Sequence, residues 1–191
     1  MFSLFARSKS AIWLALPLIL IINVSLLAAQ EHTENCFPAI PDWGSSPEQL
    51  AASKGQPQEK VDQPGLLTIY TYPADIFGDQ GESHYYFDSS GLNLVLYTFK
   101  VSNEIETIEM FNRLESTLNC RFQMPGAGFA GTGVNEVKVM LTIWDGSRTM
   151  TYLSSFSTFP EISIKIMDKE SPFNRAAIGA FQQMRDSSAK K

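Results

Sequence analysis

Cysteine and histidine are nearly absent from this 191-residue chain, which has two of each: Cys36 and Cys120, His32 and His84. There is no His-x3-His or Cys-x2-Cys pair, so the ligand set of a zinc site is missing. Asp75, Asp79 and Glu82 flank one glycine-containing loop without the spacing of a calcium loop. Nucleophilic catalysis needs a base beside a hydroxyl or thiol. The chain has no Gly-x-Ser-x-Gly, Ser89-Ser90-Gly91 is turn chemistry, and His84 reads as the start of a strand. The expected inventory is therefore no catalytic residue, no metal and no cofactor, and the reading leans away from an enzyme. If the protein is instead a small secreted hydrolase, Asp75, Asp79, Asp88 and Asp145 are the pool from which two acids must converge.

Basic clusters are missing too. Lys54, Lys60, Lys100, Arg113, Arg121, Lys138 and Arg148 are scattered, against 20 acidic residues in all. An acidic chain without a basic patch repels phosphate backbones, which excludes nucleic acid as a partner.

No acidic residue precedes Glu31, and the only bases there are Arg7 and Lys9. They lead into an uncharged apolar run from Ala11 to Ala29, closed by Ala28 and Ala29, the pattern of a secretory signal peptide over residues 1–29. A run of this length also stands at the lower limit of a membrane-spanning helix, so a retained N-terminal anchor is the alternative. Membrane attachment is expected only if the leader is retained. Dropping Arg7 and Lys9 from the 15 bases takes the net charge from −5 to −7. The one Asn-x-Ser/Thr sequon, Asn23-Val24-Ser25, lies inside the leader, which favours a bacterial periplasm over a eukaryotic secretory route. Extracellular release is the other exported destination. In such an oxidising compartment Cys36 and Cys120 are expected to form one disulfide, tying the N-terminal segment to the end of a central helix.

What the chain does contain reads as one α+β domain. Residues 30–64 hold Pro38, Pro41, Pro47, Pro57 and Pro64 and read as an extended lead-in, with one helical turn near Pro47-Glu48-Gln49-Leu50 and with Phe37 and Trp43 as pins. A strand runs from Leu66 to Tyr72 and stops at Pro73, and a loop follows to Glu82. A hairpin then turns at Asp88-Ser89-Ser90-Gly91 between His84–Phe87 and Leu92–Val101. Asn103, with Glu106 in the reciprocal place, caps a helix whose stripe is Ile105, Ile108, Phe111, Leu114 and Leu118. Residues Arg121 to Gly133 read as a glycine-rich loop. Strands follow at Val134–Trp144, Arg148–Ser155 and Glu161–Met167, with Asp145-Gly146 as the hairpin signal, and a last helix starts at Pro172. Its apolar face holds Phe173, Ala177, Ala180, Phe181 and Met184. The order β-ββ-α-ββ-β-α predicts a single antiparallel sheet of about six strands with both helices on one face, spanning residues 65–187, and a frayed tail over 188–191.

Gly126-Ala127-Gly128-Phe129-Ala130-Gly131 matches the dinucleotide fingerprint, but it follows a helix and enters a strand, the reverse of the required context. The strands are rich in tyrosine, so a sheet face carrying Tyr72, Tyr85, Tyr97 and Trp144, with Gly128 and Phe129 in the nearby loop, is the candidate binding surface. The function expected on these grounds is an exported, non-enzymatic binding domain of the cell envelope whose partner is a protein or small ligand. The alternative to the hydrolase is a carrier of a small apolar ligand held between helices and sheet.

Overall fold

Alternating β-branched and aromatic residues make the bulk of a computed structural model that describes residues 36–132, 136–158, 160–175 and 178–179. The chain divides into the units Met1–Cys36 and Phe37–Lys191. The leader, and with it the choice between cleaved signal and anchor, lies outside the described residues, as do Val134, Ala177, Ala180, Phe181, Met184 and the tail. Among the described residues no helix is long and apolar enough to cross a membrane.

The α+β class and the antiparallel sheet are as expected, but the sheet has eight strands among the described residues. Helix α1 is Pro47–Lys54; strands β1 Glu59–Gln63, β2 Leu67–Ile76, β3 Asp79–Asp88 and β4 Gly91–Lys100 form a first meander. Helix α2, Glu104–Phe122, crosses over to a second meander of β5 Ala127–Thr132, β6 Lys138–Asp145, β7 Thr149–Phe156 and β8 Glu161–Asp168. The second meander returns so that β8 pairs with β4, giving the order β1-β2-β3-β4-β8-β7-β6-β5. The two edges are therefore the first strands of the two meanders.

Both additional strands are edges. β1 came from the lead-in and β5 from the glycine-rich loop; neither buries an apolar stripe, so neither leaves a periodic signal. Pro73 does not end β2. Pairing with β1 stops at Thr71, so beyond it β2 has only β3 as a neighbour, and a missing N–H is tolerated on that side. The turn from β2 to β3 is made by Phe77 and Gly78, both at positive φ (55° and 90°), the backbone of a tight hairpin.

Helix α2 is capped by Asn103, whose Oδ1 accepts from the Glu106 amide at 2.9 Å, while Glu106 accepts from the Ser102 amide at 2.7 Å. It buries Met110, Phe111, Leu114 and Leu118 on the sheet. Ile105 and Ile108 are exposed, so the apolar stripe begins a turn later than its spacing suggests. The covered face carries Tyr70, Tyr72, Tyr85, Phe87, Val95, Tyr97, Phe99, Trp144, Leu153, Ile162, Ile164 and Ile166 in the same cluster.

The lead-in is bound to this layer. Phe37 is buried edge-on against Tyr97 at 5.2 Å, and its amide donates to the Thr117 carbonyl. Gly44 and Ser45 exchange backbone hydrogen bonds with Leu92 at 3.0 and 2.9 Å. Gly91, at φ +97°, lies so close that a Cβ there would collide with the Gly44 carbonyl. Ser46 caps α1 in a reciprocal box with Gln49, and Leu50 is buried in the core. Both cysteines are disulfide-bonded, and with two in the chain the bond joins Cys36 to Cys120.

The last helix departs from the expected layering. Residues 172–175 and 178–179 are helical, and Ile178 packs with Leu94, Met150, Tyr152 and Met167. Those residues alternate with Val95, Leu153 and Ile166, so this segment covers the face opposite α2. The two helices are on different faces because each meander leaves apolar residues on both sides of the central strands. Phe173, expected on the apolar side, is exposed.

Candidate functional site

The strand register decides which expected binding residues can meet a partner. Tyr72 is opposite Ser83, Ser83 opposite Tyr97, Tyr97 opposite Ile164, Ile164 opposite Leu153, Leu153 opposite Thr142, and Thr142 opposite Gly128. That row belongs to the face under α2. Tyr72, Tyr85, Tyr97 and Trp144 are all buried there, Tyr72 and Tyr85 edge-on at 5.7 Å and Trp144 stacked on Phe122 at 6.0 Å. Burial, and after it the neighbouring Tyr85, pushes the Tyr97 phenol well above its usual range. The tyrosine-rich surface is thus the core and not a recognition face, because α2 and the end of α1, with Lys54 over Tyr85 and the Gly55 carbonyl accepting from the Tyr72 hydroxyl, cover the side on which those residues fall.

Gly128 and Phe129 have the opposite fate. They belong to β5, which among the described residues pairs only with β6, through Ala127–Ile143, Phe129–Leu141 and Thr132–Lys138, and so stands at the end of the sheet. Phe129 is 63% exposed. On the same face, Leu141 and Ile143 are half-buried, and Val139 stands between Gly131 and Phe156, which is 41% exposed. Phe129, Leu141, Val139 and Phe156 therefore form a contiguous apolar corner next to the edge. The two edges differ in charge. β1 carries Glu59, Lys60 and Asp62, the usual protection against strand addition, and β5 carries no charged residue at all.

The start of β5 is held from the core side. Asn119 Oδ1, on α2, accepts from the Gly126 amide at 2.9 Å and from the Trp144 indole at 3.0 Å. A Cβ on Gly126 would run into Thr142 and the Trp144 ring, so only glycine lets the chain pass there. The glycine fingerprint is thus accounted for by an edge strand and its anchor. The open edge itself was visible in sequence only as the exposed pair Gly128-Phe129; its position at the end of the sheet depends on pairings remote in the chain.

Of the carboxylates of the hydrolase reading, Asp75 and Asp79 are neighbours on the β2–β3 hairpin, with Asp75 opposite Gln80 and Asp79 opposite Ile76, but they fall on alternate faces of the sheet; Asp88 and Asp145 lie elsewhere. Asp75 accepts from the Gly78 amide at 2.8 Å, Asp79 from Arg113 at 2.6 Å, Asp88 from the Ser90 amide at 2.7 Å, and Asp145 from Lys169 at 2.7 Å. Asp79 and Asp88 are the two ends of β3, roughly 30 Å apart at strand rise. Asp75 on β2 and Asp145 on β6 are five strands apart, roughly 24 Å. His84 is a sheet residue bonded to Thr71 Oγ1 at 3.1 Å. Two surface concavities of about 530 and 400 Å³ flank Trp43, lined by Asp42, Ser45 and Gln49 on one side and by Arg121, Arg148 and Thr149 on the other. The indole donates to Thr149 at 3.2 Å, so Trp43 is first of all the pin of the lead-in.

Lys165 stands on the face opposite α2, between Leu96 and Tyr152, and no hydrogen bond or ion pair holds it among the described residues. Burial pushes its ammonium below the usual lysine range. Its folded pKa is below its unfolded one, so the cost of burying the charge is present at neutral pH and disappears as pH rises into the lysine range. Lys165→Met is therefore expected to raise the melting temperature at pH 7, with the advantage narrowing in strongly alkaline buffer. Melts of both proteins across that range check it.

No family model matches the chain, and no curated protein matches it. Among solved structures it is similar to a DUF4309 family protein from Bacillus subtilis, with 10% identity over 73% of this chain and 92% of that one and a TM-score of 0.39. It is also similar to a cysteine-rich secretory protein from Staphylococcus aureus, with 14% identity and a TM-score of 0.36 over 72% of this chain. The chain spans about half the length of the latter (48%). Neither likeness assigns a function.

Proposed function

We propose that the chain is an exported, non-enzymatic binding domain of the cell envelope, and that it takes an extended segment of a protein as an added strand beside β5. Strand addition supplies affinity through main-chain hydrogen bonds and specificity through pockets for alternate side chains. The observation that carries this reading is the charge-free edge with Phe129 63% exposed on it. The corner formed by Leu141, Val139 and Phe156 offers apolar contact to side chains of the added strand. Export is supported by the disulfide, which persists in oxidising compartments, together with the leader-like residues 1–29. The periplasm is the destination within that reading. The test is photo-crosslinking from position 129 in cells that export the chain, with Val61 on β1 as control. An adduct with a protein is expected from 129 and none from 61.

A further inference from the structure

We propose that the strand added beside β5 is β5 of a second copy of this chain, forming a two-fold dimer through one continuous antiparallel sheet. The inference rests on the strand-addition reading and names its occupant. A closed homodimer uses the same patch twice, so the patch must be complementary to itself. With the two-fold axis perpendicular to the sheet, opposed residues must share a face, and only positions of equal parity along β5 can pair. Centred on Phe129, that register opposes Phe129 to Phe129 of the second copy. It also sets Gly128 against Ala130 and Ala127 against Gly131, so every flanking pair is one glycine and one alanine. No pair leaves two glycines facing an empty gap, and Phe129 is the one bulky side chain at the seam.

Charge favours the same seam. The chain carries a net charge of −5, so a copy approaching most of its surface is repelled, whereas β5 opposes no like charges at any position. The two Phe129 rings meet beside Leu141 of both copies and extend the apolar corner across the junction. With Phe129 at its centre the seam is the five residues Ala127–Gly131, roughly 17 Å, and is small beside the ~1,200 Å² of stable complexes. The dimer is therefore weak and reversible, and its population rises with concentration.

Sedimentation equilibrium of the full exported chain tests this. The wild type is expected to move reversibly from monomer toward twice that mass as concentration rises. Phe129→Lys and Phe129→Glu place like charges opposite each other, and each variant is expected to remain monomeric while melting as the wild type does, because the side chain is exposed. An equimolar mixture of the two variants sets lysine against glutamate and restores the dimer. A wild type that stays monomeric, single variants that still dimerise, or a mixture that does not re-associate overturns the proposal. Cross-links from position 129 that reach only other proteins also overturn it and leave strand addition standing; no cross-link of any kind overturns both.

Discussion

Replacing both cysteines, Cys36→Ser with Cys120→Ser, lowers stability by roughly 4 kcal/mol on the chain-entropy scale for a closed loop of about 84 residues. For a domain of this size that is a fall of roughly 10 °C in melting temperature. The native fold is expected to persist, because the lead-in has other anchors: Phe37 against Tyr97, the Gly44 and Ser45 bonds to Leu92, and Leu50 in the core. The disulfide acts chiefly on the unfolded chain, which it prevents from separating Cys36 from the end of α2. Urea unfolding with and without reductant checks this. A shift below about 1 kcal/mol contradicts it, since such a loss is no larger than that of one ordinary hydrogen bond.

Trp144→Ala is expected to cost about 4 kcal/mol, the range for deleting a fully buried large aromatic. The loss has two parts that a second variant separates. Trp144→Phe keeps most of the volume and removes the indole bond to Asn119, and it is expected to cost roughly 1 to 2 kcal/mol. Asn119 Oδ1 keeps the Gly126 amide in that variant, so the start of β5 stays anchored. Chemical denaturation of the two variants checks the split; equal costs contradict it, because they would mean that packing of the ring contributes nothing.

Much of this architecture was legible in the residues. Asn103 with Glu106 marks the start of α2, Asp145-Gly146 marks the β6–β7 turn, and Ile162, Ile164 and Ile166 alternate along β8 onto one face. Each signal is local. Which face α2 covers is not, and for that reason the sequence leaves Tyr72, Tyr85, Tyr97 and Trp144 open to a reading as surface beside one as core until the register is known. The edge strands were hidden for another reason. Glu59-Lys60-Val61-Asp62-Gln63 resembles a solvated linker, and Ala127-Gly128-Phe129-Ala130-Gly131-Thr132 resembles a flexible loop. Each is held by one neighbour only, so neither needs the apolar pattern that betrays a central strand. The β5 edge was therefore the least visible part of the sheet: its composition says loop, and only the return of the second meander onto β4 makes it an end.

The most direct measurement is a photo-crosslinking scan of β5 in exporting cells, with the reactive group placed in turn at Gly128, Phe129, Ala130, Leu141 and Phe156. An added strand reaches both sides of the pleat, so protein adducts are expected from Gly128 and Ala130 as well as from Phe129. Adducts from Phe129, Leu141 and Phe156 alone, with none from Gly128 or Ala130, mean that a partner docks on that apolar corner and leaves the edge unpaired, which contradicts strand addition at β5.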